Sequence, residues 1–217
     1  LAETRAVWVA TLIGAVYLVW RWRPWVTLAI PVVAALGLLI APHAIRERAI
    51  SIVRPGPADS NSFRAILLRT GVQMVEAHPW FGLGPEMPRK DFLEYVPAGT
   101  PRPLPPGSYM HLHNIYLEYA AERGIPVLLI FLWLLGKIVW DFAQGLRALP
   151  PGRGDQRFLL DGGIAVIIGL LVEGMADVNL GDSEVLTMFL VVIALAYDTL
   201  AKFKELPESR AAATDLP

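Results

Sequence analysis

Five stretches of the chain are almost wholly apolar: residues 6–20, 25–41, 125–140, 158–176 and 185–200. Each comes near the ~20 residues that a helix needs to cross a ~30 Å hydrocarbon layer, the shorter ones with help from flanking aromatics or a thin bilayer. Core helices of soluble proteins carry a polar stripe, which these runs mostly lack. The pattern predicts an all-α, polytopic membrane protein with about five spans.

Between the second and third runs the pattern changes. Residues 62–77 set Phe63, Ile66, Leu67, Met74 and Val75 at helical spacing, with Arg64, Gln73 and Glu76 off that face, which predicts an amphipathic helix. Before it, residues 54–57 read as a turn and residues 59–62 offer several N-caps. After it, residues 80–85 (Trp-Phe-Gly-Leu-Gly-Pro) read as a glycine-rich turn with aromatic anchors, expected to pack beneath the loop. The pair Gly82 and Gly84 is no nucleotide fingerprint, since no strand precedes it and Pro85 follows. Residues 96–107 are dense in proline and glycine and read as an irregular flap. The chain thus divides into two spans (1–41), a loop domain with amphipathic helices (42–124), three spans (125–200) and a tail (201–217).

Charge sets the orientation. Arg21 and Arg23 lie between the first two runs, Arg147, Arg153 and Arg157 between the third and fourth, and Lys202 and Lys204 after the fifth. Residues 177–184 carry acids and no Lys or Arg. The positive-inside rule puts the basic connections and the tail in the cytoplasm, and residues 42–124 outside, long loops being translocated largely regardless of charge. Trp20, Trp22, Trp25 and Trp140 then fall at the inner interface.

Composition supports this. The chain is 54% hydrophobic and 18% charged, against roughly 45–50% and 25% in soluble domains. A net charge of −1 gives no field to recruit nucleic acid. The absence of cysteine excludes disulfides and thiolate chemistry. A start at Leu1, with no initiator Met or signal peptide, reads as the C-terminal part of a longer protein, whose upstream helices would be its partners.

Chemistry concentrates in residues 111–124, His-Leu-His-Asn-Ile-Tyr-Leu-Glu-Tyr-Ala-Ala-Glu-Arg-Gly. His113, at the mouth of a short helix, suits a general base; the alternative is an interfacial histidine bonded to backbone. His111 and His113 with an oxygen from Asp91 or Glu94 would make a metal site, but no third ligand stands at a motif spacing, so no metal is expected. Arg5, at the outer end of the first run, either snorkels or faces a polar cavity. Arg64 and Arg69 suit phosphate, or lipid headgroups. Asp161, Glu173 and Asp177 stand near span ends, where a solvated role is expected.

Together these blocks resemble the C-terminal half of the O-antigen ligase and polymerase superfamily of bacterial polysaccharide enzymes. Thr4-Arg5-Ala6-Val7-Trp8 resembles the family's arginine-bearing start of a span. Arg64, followed by Pro79, Gly82 and Gly84, resembles its second arginine and Pro-x-x-Gly-x-Gly turn. His113-Asn114, nine residues and then Gly124 resemble its ligase signature, whose last glycine is Val127 here, leaving the related polymerases open.

The resemblance implies a GT-C-like membrane glycosyltransferase of the bacterial inner membrane. Such an enzyme moves a glycan from undecaprenyl pyrophosphate to lipid A-core at the periplasmic face, with inversion and without metal or other cofactor. It implies His113 as the base and Arg5 and Arg64 as holders of the pyrophosphate, with His111, Asn114, Pro79, Gly82, Gly84 and Gly124 in supporting motifs. An O-antigen or exopolysaccharide polymerase and a protein O-oligosaccharyltransferase share this site logic. A transporter fragment, the rival class, predicts polar residues near span centres, whereas here they gather at span ends and in the outer loop.

Overall fold

The computed structural model describes the backbone of residues 5–47, 61–104 and 111–214, and the side chains of residues 6–47, 63–104 and 111–203. The turn expected at 54–57, the N-cap candidates at 59–60 and the side chains of those at 61–62, residues 105–107 of the flap, and the side chains of Arg5 and Lys204 lie outside the described residues. Among those described, the fold is all helical, with no strand.

The main helices are α1 (Arg5–Trp22), α2 (Ile30–Ile40), α3 (Asn61–Ala77), α4 (Met87–Lys90), α5 (Ile115–Arg123), α6 (Ile125–Ala148), α7 (Gly154–Glu173) and α8 (Ser183–Thr214). The second apolar run is not one continuous helix. A 3₁₀ segment, Pro24–Ala29, precedes an α2 of 11 residues that begins at Ile30-Pro31. Proline has no N–H and its ring crowds the preceding turn, so a new helical segment starts there. Within the described residues, α6 and residues Ser183–Phe203 of α8 are long and apolar enough to cross a membrane. Residues Ala6–Trp22 and Pro24–Ile40 are shorter, and α7 carries Asp155, Arg157 and Asp161 in its first half. The expectation of five spans is therefore met by length and composition at two helices.

α7 lies among α1, α6 and α8. Its apolar side, Leu160, Ile164, Ile167 and Leu170, meets Phe142 and Leu146 from α6 and Phe189, Ile193 and Ala196 from α8. Gly163 lets the Phe142 ring lie against the α7 backbone, where a Cβ would sit 2.6 Å from ring carbon. α1 runs antiparallel to α7: Gly14 faces Ala165, and Arg21 Nε pairs with Asp161 Oδ1 at 2.8 Å. Asp161 also accepts from Tyr17 at 3.0 Å, so it is a cross-helix partner rather than the solvated acid expected.

A second, smaller core forms outside the bundle from Leu67, Met74, Phe92, Leu112 and Ala121. α5 and the residues leading into it join the two: Leu112, just ahead of the helix, and Ala121 belong to this outer core, Ile115 to the bundle core. Leu112 and Ile115 are 2% and 1% exposed, and burying such side chains contributes about 1.5–3 kcal/mol each. The residues between them, His113 and Asn114, are thereby held on the seam. Trp80 and Phe81 do not pack beneath the loop as expected; at 71% and 89% exposed they point outward. Their turn is held by main-chain bonds instead.

Candidate functional site

Asn114 starts α5 by capping it. Its Oδ1 accepts from Leu117 N–H at 3.0 Å, taking up one of the donors a helix start leaves free. The same amide reaches the end of α7, where Nδ2 donates to the Met175 carbonyl at 3.1 Å. Beside it Ile115 N–H donates to Gly174 O at 2.8 Å, and Tyr116 Oη to Leu171 O at 2.6 Å. One short motif thus fastens the outer helix to the end of a bundle helix.

From the first turn of α5, Glu118 turns back and accepts from the N–H of Leu112, upstream of the cap, at 2.7 Å. This carboxylate is buried, and burial pushes its pKa up, with the Leu112 N–H acting the other way. His113 takes a left-handed backbone, φ +48°; such a conformation costs a non-glycine residue about 1–2 kcal/mol and here is held by the contacts on either side. The bend brings the two imidazoles together, centroids 4.0 Å apart, and lets His113 N–H donate to His111 Nδ1 at 3.3 Å.

Asp177 closes the group. Its Oδ1 lies 3.4 Å from His113 Nδ1 and 3.9 Å from His111 Nδ1, and accepts from Val178 N–H at 2.9 Å. At 3.4 Å this contact is longer than an ordinary N–H···O hydrogen bond, and His113 Nδ1 is buried with no well-formed partner among the described residues. The His113 imidazole holds the Asp177 carboxyl below its usual range, against the effect of burial. Burial, then the neighbouring His113, lowers the pKa of His111, while Asp177 and Asp182 oppose this. The oxygen beside the histidine pair comes from Asp177; Asp91 and Glu94, the acids weighed for that place, are not in the group.

The turn around Pro79, Gly82 and Gly84 wraps the far end of α5. Leu83 N–H and Gly84 N–H donate to the Ala121 and Glu122 carbonyls at 2.7 and 2.9 Å, filling acceptors the helix end leaves open. Glu86 N–H donates to Glu122 Oε1 at 2.9 Å, and Pro79 O accepts from Ile125 N–H at 2.8 Å, capping the start of α6. Gly82 and Gly124 both have positive φ, and each lies against the main chain of the other's segment. A Cβ on Gly124 would run into the Trp80 carbonyl, and one on Gly82 into the Glu122 peptide. The two motifs are the two halves of one clasp.

Arg64 is half-buried on α3, whose Gly71 packs against Leu112 and Leu117. Arg64 has no ion pair or hydrogen bond among the described residues, and none to His113. Arg5 opens α1 at the end where Glu173 closes α7, so its backbone stands at the same end of the bundle as Asp177. Between α1, α7 and α8 runs an apolar groove of about 760 Å³, lined by Val7, Gly169 and Met188 among others, with Glu173 and Asn179 on its wall.

Asp177 and Glu118 are the two residues of this site that sequence reasoning did not place. Glu118 had a local signal, its position four residues after the cap. Asp177 had none, because packing of α5 on α7 brings it in. A family model described as O-antigen ligase matches residues 1–132, which takes in α1, the outer lobe and the His113 block but not Asp177. No curated protein matches the chain.

Proposed function

This chain belongs to the O-antigen ligase family, and from that premise we propose that it transfers a glycan from a polyprenyl pyrophosphate to a hydroxyl of lipid A-core, with His113 as base. The family supports a membrane glycosyltransferase of the ligase or polymerase kind. The finer reading rests on one observation, the carboxylate of Asp177 beside His113 Nδ1. A carboxylate there favours the tautomer with its proton on Nδ1, which leaves the Nε2 lone pair for an incoming proton.

In the proposed step the acceptor oxygen attacks the anomeric carbon and its proton passes to His113 Nε2. The bond from that carbon to the pyrophosphate oxygen breaks, the electron pair leaves with the pyrophosphate, and the configuration inverts. Charge growing on the leaving group needs fixed cations. Arg64, with no carboxylate partner among the described residues, has its planar fork of donors open for phosphate. Arg5 would add a second guanidinium from the end of α1. With an activated leaving group, positioning, one base and two cations suffice, and the transfer needs no metal.

The test is transfer by the full chain in detergent from a purified lipid-pyrophosphate donor, with chelator present throughout. Sugar appearing on lipid A-core, and lost in His113→Ala, is the expected result. Lengthened donor glycan with lipid A-core untouched would make the protein a polymerase, and glycan on a peptide acceptor a protein oligosaccharyltransferase. No transfer to any of the three would remove the reading.

A further inference from the structure

We infer that His111, His113 and Asp177 also form a binding site for one zinc-type dication, and that the occupied site is an off state for transfer. Three observations carry the site. One ligand atom from each of the three side chains lies within 4.8 Å of the others. In a tetrahedral zinc site with bonds of about 2.0–2.1 Å, ligand atoms stand roughly 3.3 Å apart. The His113 nitrogen, 3.4 Å from Asp177 Oδ1, matches that spacing, and the His111 nitrogen, at 3.9 Å, has about 0.6 Å to close. His113 Nδ1 is also a buried nitrogen with no hydrogen bond among the described residues, the kind of atom a bound ion would satisfy. The His111 Nδ1 lone pair is taken up only by a long 3.3 Å bond from His113 N–H, which the ion would displace.

Chemistry narrows the ion. Two imidazoles and one carboxylate suit zinc, cobalt, nickel or copper, whereas magnesium and calcium take oxygen ligands. Three protein ligands leave a fourth position for water.

The functional consequence follows from the tautomer, and this half rests on His113 being the base. An ion on His113 Nδ1 displaces the proton there to solvent. The neutral ring then carries its only proton on Nε2, the atom that must accept one from the sugar hydroxyl. The same ion takes the Asp177 oxygen, so the carboxylate no longer favours the active tautomer. Metal and acceptor thus compete for one imidazole through its two ends.

The experiment uses the full chain in detergent, chelator-washed and without a polyhistidine tag. Titrated Co²⁺ is read by the visible absorption of a four-coordinate site, with Zn²⁺ as competitor and Mg²⁺ as control. We expect one Co²⁺ per chain, displaced by Zn²⁺ and not by Mg²⁺, with affinity at least tenfold weaker in His111→Gln and in Asp177→Asn. The milder glutamine and asparagine changes keep size and polarity, and an unchanged melting temperature certifies the fold. Absence of the absorption band in the wild-type protein, or wild-type affinity in both variants, would overturn the site; in the second case the exposed His43 and His78 would be the binders. Transfer is read in parallel, each protein scored against its own metal-free rate. Inhibition of wild type by Zn²⁺ that is relieved in His111→Gln supports the off state. Tight binding with no inhibition would overturn that half alone, and because binding is read optically it stands whether or not the base assignment does.

Discussion

The backbone N–H of Ile115 donates to the Gly174 carbonyl at 2.8 Å, and the Ile115 side chain lies where a Gly174 Cβ would be, 2.5 Å from its Cγ2. This contact sets the distance between the histidine segment and Asp177, because each lies a few residues from it. Gly174→Val should destabilise the protein by about 1–3 kcal/mol, the usual result of overpacking. Transfer should fall further than the loss of folded protein explains, since His113 and Asp177 move apart. Turnover per folded molecule, measured beside the thermal midpoint, checks this; an unchanged turnover would show that the approach of α5 to α7 does not matter to the chemistry.

His113→Ala should cut transfer by about 10²–10⁴-fold, the range over which general bases act. Asp177→Asn should cut it at least about tenfold but less than His113→Ala does, because it disturbs the tautomer and leaves the base in place. The measurement is initial rate at saturating donor, with membrane levels matched. A wild-type rate in Asp177→Asn would leave Asp177 a bystander.

Arg64→Lys and Arg5→Lys should each lose most activity although net charge is unchanged, because lysine offers a point charge in place of a two-donor fork. The assay is the same transfer reaction with chelator. A lipid-headgroup role would tolerate both changes, so full activity in either variant removes that arginine from the donor site.

Glu118 supplies a pH dependence. Its folded pKa is raised by burial, so its share of stability is fully present below the unfolded value and is lost as pH rises through the folded one. The melting temperature of wild type minus that of Glu118→Gln should therefore increase as pH falls from neutrality toward about 4.3, the ordinary glutamate value. A difference that is flat across this range, or that shrinks, would contradict a buried carboxylate at the Leu112 N–H.

Orientation can be read by labelling. Cysteine at Ser108 or Ser183 should react with an impermeant thiol reagent in cells whose outer membrane alone is permeabilised. Cysteine at Gln144, exposed near the opposite end of α6 from His113, should react only after lysis. Labelling of Gln144→Cys before lysis would reverse the assignment of faces.

Much of this architecture was legible in residue order because it is local. The period of Phe63, Leu67 and Met74 gave α3, Asn114 and Gly124 bracketed α5, and the apolar run from Ile125 gave α6. What stayed hidden depends on contacts across the fold. Asp177 looked like one more acid at a span end until α5 packed on α7. Trp80 and Phe81 were expected to anchor inward because aromatics usually do, but the main chain of that turn makes the contacts and the rings are left outside. The break in the second apolar run turns on a single Pro31, a signal that hydrophobicity outweighed.

The clasp between residues 79–86 and the α5–α6 junction has a mechanical consequence. Four hydrogen bonds, three of them main chain to main chain, cross it from one side to the other. A pull or twist applied to α3 would pass into α6 through peptide groups, which have no rotamers to slip. Side-chain contacts yield by repacking; this junction has to break before it can stretch. Any tilt of α6 in the bilayer, whether from a change in lipid thickness or from a neighbouring helix, would therefore be carried as a rotation into the segment bearing His113.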